Sequence, residues 1–144
     1  LLMLAMPRGV YLGFDFGYKR IGVAVGQRLT CSASPLSTIE AKAGIPDWNT
    51  IQKVITQWNP QALIVGLPTC IDDRELYTTS AARRFAKQLH KRFSLPVHLV
   101  DERLSTVEAR GYLFEQGGYR QIKKAEVDSI AACVILEQWL QQSE

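Results

Sequence analysis

Three carboxylates occupy sequence positions at which a folded chain usually avoids charge. Asp15 lies inside the apolar run 11–16, Glu102 directly follows the run 97–101, and Asp128 opens the apolar segment 128–132. An ionised carboxylate in apolar surroundings is strongly unfavourable unless a cation or hydrogen-bond donors compensate it. The three acids together therefore predict a shared site for a divalent metal ion.

Each acid also has a purely structural explanation. Asp15 could cap a turn through Gly17, Glu102 could pair with a following arginine, and Asp128 could be favoured by the dipole in the first turn of a helix. Taken singly, Glu102 and Asp128 fit that explanation better. Taken together in their sequence contexts, the three acids favour one site, because acids that converge in a cleft are typical of function.

The segment around Asp15 has the pattern of an antiparallel hairpin. Strands are predicted over 10–16 and 20–26, joined by a short connection that contains Gly17. One face of the first strand is apolar, whereas the face that carries Asp15 otherwise bears small residues. Such a face would let a helix, a metal ion or a phosphate approach the backbone closely.

The remaining elements follow from alternating strand and helix patterns. We predict strands over 34–39, 62–67 and 97–101, and helices over 46–58, 79–93, 125–142 and from a capping box at 105–108 to about residue 117. Asp128 falls on the inward face of the last helix with Ala132 and Ile135. The order predicts a mixed five-stranded α/β domain whose first half is antiparallel.

Length and composition limit the class of protein. The 144 residues suit one domain, with residues 1–9 expected as a disordered lead-in and 10–142 as the domain. The net charge of +3 is compatible with a polyanionic partner but does not establish one. Three cysteines without a Cys-x-x-Cys pair argue against a disulfide framework or a zinc site and favour the cytoplasm. No apolar run approaches the roughly 20 residues that cross a bilayer, so we expect no membrane association.

Basic residues beside the acids are candidates for contacts with substrate phosphates. Such contacts are predicted for Lys19, Arg20, Arg120, Lys123 and Lys124. Arg20 could instead neutralise the acidic cluster. A further basic stripe, formed by 84, 87 and 91 on one helix, is more simply a solvated helix face.

Four ordered segments give the chain a family resemblance. The segments 12–25, 64–68, 101–106 and 127–129 resemble the bacterial YqgF/RuvX proteins, which are described as pre-16S ribosomal RNA nucleases and as Holliday-junction-resolvase-like proteins. The resemblance covers nearly the whole chain. It implies a ribonuclease-H-like fold and a nuclease that depends on Mg²⁺ or Mn²⁺, with the family's acidic positions at Asp15, Glu102 and Asp128.

The resemblance also suggests roles for the acids. In two-metal phosphodiester hydrolysis one ion activates water and the other stabilises the leaving oxygen, so Asp15 is expected to bridge the ions while Glu102 and Asp128 each hold one. The chain departs from the family pattern in the loop 69–74. It also carries alanine at 131 and 132, where junction resolvases of this fold commonly have a fourth acid, so the number of ions stays open.

Three functions remain open at this point. The preferred one is processing of structured RNA, at the 5′ end of pre-16S rRNA, during ribosome biogenesis. The second is resolution of Holliday junctions in branched DNA, which would require a symmetric homodimer rather than a monomer. The third is a non-catalytic nucleic-acid-binding module in transcription or ribosome assembly, which would bind without metal-dependent turnover.

Overall fold

The computed structural model describes residues 9–67, 77–101 and 124–142. The strands are β1 (Val10–Asp15), β2 (Arg20–Gln27), β3 (Ser32–Lys42), β4 (Ile45–Pro46), β5 (Ala62–Leu67) and β6 (Val97–Asp101), and the helices are α1 (Trp48–Trp58), α2 (Tyr77–Phe93) and α3 (Lys124–Gln142). The helix predicted from residue 105 and the loop 69–74 lie outside the described residues. Within these three ranges, no helix has the length and hydropathy needed to cross a bilayer.

The strands form one mixed sheet in the order β4-β3-β2-β1-β5-β6. From β1 to β4, each strand pairs antiparallel with the next one along the chain, whereas β5 pairs parallel with both β1 and β6. The predicted mixed α/β architecture is confirmed, but the predicted number of five strands is wrong by one. The additional strand is the two-residue β4, which pairs with the end of β3 after a turn at Gly44.

Helices cover both faces of the sheet. One core lies on the face of Leu12 and Phe14, where α1 contributes Ile51 and α2 contributes Phe85. A second core lies on the opposite face, around Tyr11, Ala24 and Ile64, and is covered by α3. All six residues of β5 are buried, as expected for a parallel strand between two layers of helix.

The contact between β1 and α3 explains the small residues on one face of the first strand. A Cβ atom added at Gly13 would lie 2.9 Å from the Leu136 Cβ and 3.1 Å from the Ala132 carbonyl oxygen. Real Cβ atoms do not tolerate the shorter distance, so a side chain at this position would push the helix away from the sheet. The sequence suggested that a helix, a metal ion or a phosphate could approach this face closely. At Gly13 the group that does so is helix α3.

Candidate active site

Asp15 is the last residue of β1 and lies between two glycines. It pairs with Gly22 of β2 on one side and with Gly66 of β5 on the other. Because directly paired residues present their side chains to the same face, neither neighbour places a side chain beside the carboxylate. The Asp15 side chain is half-buried, so its carboxylate lies at the boundary between core and solvent.

The turn that follows Asp15 is held tightly by its surroundings. A Cβ atom at Gly17 would lie 2.6 Å from the Arg20 carbonyl oxygen, so the turn accommodates only glycine at that position. The Gly44 N–H donates to the Tyr18 carbonyl oxygen at 3.1 Å, and the Ala41 N–H donates to that of Lys19 at 3.0 Å. These bonds attach the turn to the hairpin of β3 and β4.

Two predicted substrate contacts lie on or beside this turn. Lys19 is exposed, and Arg20 is half-buried at the start of β2, directly opposite Glu40 of β3. Both residues are thus at the edge of the sheet where β1 ends. The other predicted contacts, Arg120 and Lys123, lie outside the described residues, and Lys124 is the first residue of α3.

The carboxyl ends of β1, β5 and β6 meet at one edge of the sheet because these strands are parallel. Asp15 is level with Gly66, which is level with Val100, so β6 ends one residue beyond the level of Asp15. Two interstrand spacings, about 10 Å, separate β1 from β6. Glu102 follows β6 directly in the chain but lies outside the described residues.

Helix α3 runs antiparallel to β1 and begins near the same edge. Its later residue Trp139 packs on Tyr11 with ring centroids 5.0 Å apart, whereas the earlier Ala132 faces Gly13. Asp128 precedes Ala132 by four residues, which is a rise of about 6 Å. Two strand residues from Gly13 to Asp15 span about 6.6 Å. The backbone at position 128 is therefore about level with Asp15 along the sheet.

Ser129 attaches the beginning of α3 to the sheet. Its buried hydroxyl accepts a hydrogen bond from the Val23 N–H at 3.3 Å and donates one to the Leu36 carbonyl oxygen at 2.6 Å. The register of β2 against β3 shifts between Ile21 and Val23, beside Gly22. The hydroxyl thus forms hydrogen bonds with backbone groups at an irregularity of the sheet, next to Gly22, which pairs with Asp15. The role of Ser129 was not predicted from the sequence, although a serine beside Asp128 in an apolar segment was a usable signal.

Glu137 provides a second polar attachment of α3. Its Oε2 accepts a hydrogen bond from the Ala33 N–H of β3 at 3.0 Å. One turn earlier, burial raises the pKa of the Cys133 thiol to about 12, and the negative charge of Glu137 contributes to the rise. Cys133 is therefore a protonated, buried thiol at neutral pH and packs as a small core residue.

Neither histidine lies in a metal-binding arrangement among the described side chains. His90 Nδ1 is 2.8 Å from the Leu95 carbonyl oxygen at the end of α2, and the His98 ring lies 5.0 Å from that of Trp139. In the part of the chain with described side chains, no three His, Cys, Asp or Glu residues form a cluster that could hold a metal ion. Of the three predicted ligands, that part contains only Asp15.

Solved structures of resolvases share this architecture. One is Thermus thermophilus RuvC in complex with a Holliday junction substrate, with a TM-score of 0.57, 16% sequence identity and coverage of 94% of this chain and 98% of that chain. Another is the fowlpox virus Holliday junction resolvase, with a TM-score of 0.56, 12% identity and coverage of 92% and 97%. At such identities the likeness concerns the fold, and it confirms the expected ribonuclease-H-like class.

Sequence relatives are much closer. A Legionella pneumophila (strain Lens) protein named "Putative pre-16S rRNA nuclease" is 99% identical over 139 residues, which are 96% of this chain and all of that protein. A Klebsiella pneumoniae protein of the same name is 56% identical over 135 residues, covering 94% of this chain and 98% of its own length. Residues 9–142 match the family described as "RuvX: Holliday junction resolvase". The chain therefore belongs to the RuvX family.

Proposed function

We propose that this protein is a metal-dependent nuclease that hydrolyses phosphodiester bonds near the 5′ end of pre-16S rRNA, in the cytoplasm, during ribosome biogenesis. The names of its close relatives supply the substrate, and the edge of the sheet around Asp15 supplies the chemistry. The proposed substrate is a structured RNA, so contacts to phosphates and to RNA shape would contribute to its recognition.

The observation that carries the proposal is the common level of Asp15, the end of β6 and the beginning of α3. Three elements distant in sequence converge on one edge, and each carries one predicted ligand or leads directly into it. The proposed ligands are Asp15, Glu102 and Asp128. This convergence is what a shared cation would require, whereas three unrelated structural acids would not require it.

The donor set fits a hard divalent ion. Mg²⁺ and Mn²⁺ favour carboxylate oxygens, and Mg²⁺ retains several water molecules, so a half-buried Asp15 between two glycines suits such an ion. When bound, the ion would polarise the phosphodiester and favour deprotonation of the attacking water. The protein would orient the substrate, with Lys19 and Arg20 contacting phosphates beside Asp15.

The decisive experiment is a metal titration with a labelled 16S precursor that carries its 5′ extension. Asp15→Asn should abolish cleavage while the far-ultraviolet circular dichroism spectrum stays unchanged, and Glu102→Gln and Asp128→Asn should do the same. Asp47→Asn is the matched control, because Asp47 is an exposed carboxylate that caps α1 and asparagine can also act as an N-cap. Full cleavage by the Asp15 variant would refute the proposal.

The family description favours a second candidate, resolution of four-way DNA junctions. The same site would then act on DNA, and two copies would present two sites to two strands. Comparing precursor RNA with a synthetic four-way junction at equal metal and salt concentrations separates the two functions, since affinity for nucleic acids depends strongly on salt. Binding of either substrate without metal-dependent cleavage would instead identify a non-catalytic module.

A further inference from the structure

A pocket lined by aromatic and arginine side chains lies on the face of the sheet opposite α3. It has a volume of about 420 Å³ and is enclosed by the turn after β1, the β3–β4 hairpin and α2. The side chains important here are Phe16, Tyr18, Trp48, Arg84, Phe85 and Arg92. Pockets for small ligands range from roughly 300 to 1,000 Å³, so this one could hold a nucleotide-sized group.

The aromatic side chains form one packed group. Trp48 and Phe85 are nearly parallel, at 29° with ring centroids 5.8 Å apart, and the Phe16 ring lies 5.1 Å from that of Phe85. Tyr18 continues the group at 6.0 Å from Phe16. Phe16 and Phe85 belong to the core, whereas Tyr18 and Trp48 are half-buried, so these contacts fix the two half-buried rings that form the aromatic part of the pocket wall.

Positive charge lies along one side of this aromatic group. The Arg92 guanidinium carbon lies 4.2 Å from the centroid of the Trp48 ring, a cation–π contact. Arg84, Gln88 and Arg92 recur every four residues and thus follow one face of α2. Among the described residues that line the pocket, none is acidic. A row of arginines beside aromatic rings is typical of surfaces that bind single-stranded nucleic acid.

The pocket begins next to the candidate active site. Phe16 follows Asp15 directly, and strand alternation puts the two side chains on opposite faces of the same edge. Gly44 packs against Tyr18 so closely that an added Cβ would lie 2.8 Å from the tyrosine ring. The hairpin therefore encloses one side of the pocket, which lies at the same edge of the sheet as Asp15 but on the other face.

We propose that this pocket binds an unpaired base of the RNA substrate, and that Arg84 and Arg92 contact the phosphates on either side of that base. The base would stack on the outer side of the Arg92 guanidinium plane, which Trp48 supports from the other side, a mode that RNA-binding proteins use for unpaired nucleotides. Base pairing would prevent this contact, so the pocket would select a single-stranded position of the substrate. The proposal deepens and rests on the proposed nuclease function.

Binding without divalent ions tests the pocket independently of cleavage. The probe is a fluorescently labelled single-stranded RNA of about eight nucleotides, compared with the same sequence in a duplex, and fluorescence anisotropy gives the Kd. Trp48→Leu and the double variant Arg84→Gln/Arg92→Gln should each weaken binding of the single strand about 5- to 160-fold, the loss expected for one stacked base. Duplex binding should change much less.

The matched control is Lys87→Gln/Lys91→Gln, which removes the same charge from exposed positions of the same helix. The arginine variant should reduce the slope of log Kd against log salt by about 1.4, or roughly 0.7 for each lost phosphate contact, while the lysine variant should leave it nearly unchanged. Thermal unfolding checks that each variant is folded. A stable Arg92→Lys variant, which keeps the charge but not the guanidinium plane, should bind with intermediate affinity.

The outcomes separate this inference from the proposed function. If the arginine and lysine variants lose equal affinity, or if duplex and single strand are affected equally, the pocket is not a base site and the inference fails even when the wild type cleaves RNA. If the arginine variant loses single-strand binding selectively while the wild type cleaves nothing, the base site stands and the nuclease proposal fails. Unchanged RNA binding by folded Trp48→Leu would also overturn the inference and indicate a different occupant, such as a peptide.

Discussion

The hydroxyl of Ser129 in α3 lies 3.3 Å from the backbone nitrogen of Val23 in β2 and accepts its hydrogen bond. The same hydroxyl donates to the Leu36 carbonyl oxygen of β3. At a shift in strand register some backbone groups lose their regular partners, and this single side chain supplies partners to two of them. Because Asp128 precedes Ser129, the contact also fixes where α3 meets the candidate active site.

Ser129→Ala should therefore lower both stability and activity. Burying an unsatisfied N–H or carbonyl group costs about 1–3 kcal/mol, so urea denaturation should show a loss of free energy of unfolding in that range. Cleavage of precursor RNA should fall further than the unfolded fraction explains, because the backbone at 128 would lose its attachment. Ser34→Ala, on an exposed position of β3, should change neither quantity. Equal behaviour of the two variants would contradict the positioning role.

The two described cysteines should differ in reactivity. The pKa of Cys133 is raised to about 12 by burial, so at pH 8 this thiol is almost entirely protonated. Cys31 is partly exposed at the turn between β2 and β3. Brief treatment of the folded protein with iodoacetamide, followed by peptide mass spectrometry, should show modification of Cys31 and not of Cys133. Modification of both at equal rates would mean that α3 separates readily from the sheet.

Local patterns were sufficient for much of the fold. The predicted bounds of β5 and β6 agree with the structure. Strand β5 coincides with one unbroken apolar run and β6 with one short β-branched run, so the ends of each run marked the ends of the strand. Asp15 was singled out because a charge within an apolar strand is unusual, and the structure puts it at the strand end. These features depend on residues that are neighbours in sequence.

Features that depend on distant residues were not predicted. Strand β4 has two residues and exists only because β3 is long enough to pair with it. The role of Ser129 depends on a register shift 106 residues earlier in the chain. The aromatic pocket is assembled from the turn after β1, the start of α1 and the face of α2, so no single window of sequence contains it. Tertiary packing creates all three.

Asp47 should make stability depend on pH in acid. It caps α1, and the Thr50 hydroxyl donates to its Oδ2 at 2.8 Å, which lowers the pKa of Asp47 from 3.8. A carboxyl whose pKa is lower in the folded state contributes stability above its unfolded pKa and loses it as the pH falls through its folded pKa. Urea denaturation from pH 7 to pH 3 should show the advantage of wild type over Asp47→Asn constant above about pH 5 and shrinking below about pH 4. An advantage that grows in acid would contradict this assignment.

Gly13 should tolerate no larger residue, because α3 packs directly against it. A Cβ atom there would lie 2.9 Å from the Leu136 Cβ and 3.1 Å from a backbone oxygen, so the helix itself must move. Overpacking of this kind costs about 1–3 kcal/mol, which exceeds the gain of about 0.4–1 kcal/mol that alanine obtains by restricting the unfolded chain. Gly13→Ala should therefore lower the free energy of unfolding, and Gly13→Val should lower it more. Since α3 also carries position 128, cleavage by folded Gly13→Ala should fall at saturating metal. Full activity in both variants would mean that the spacing between helix and sheet does not control the site.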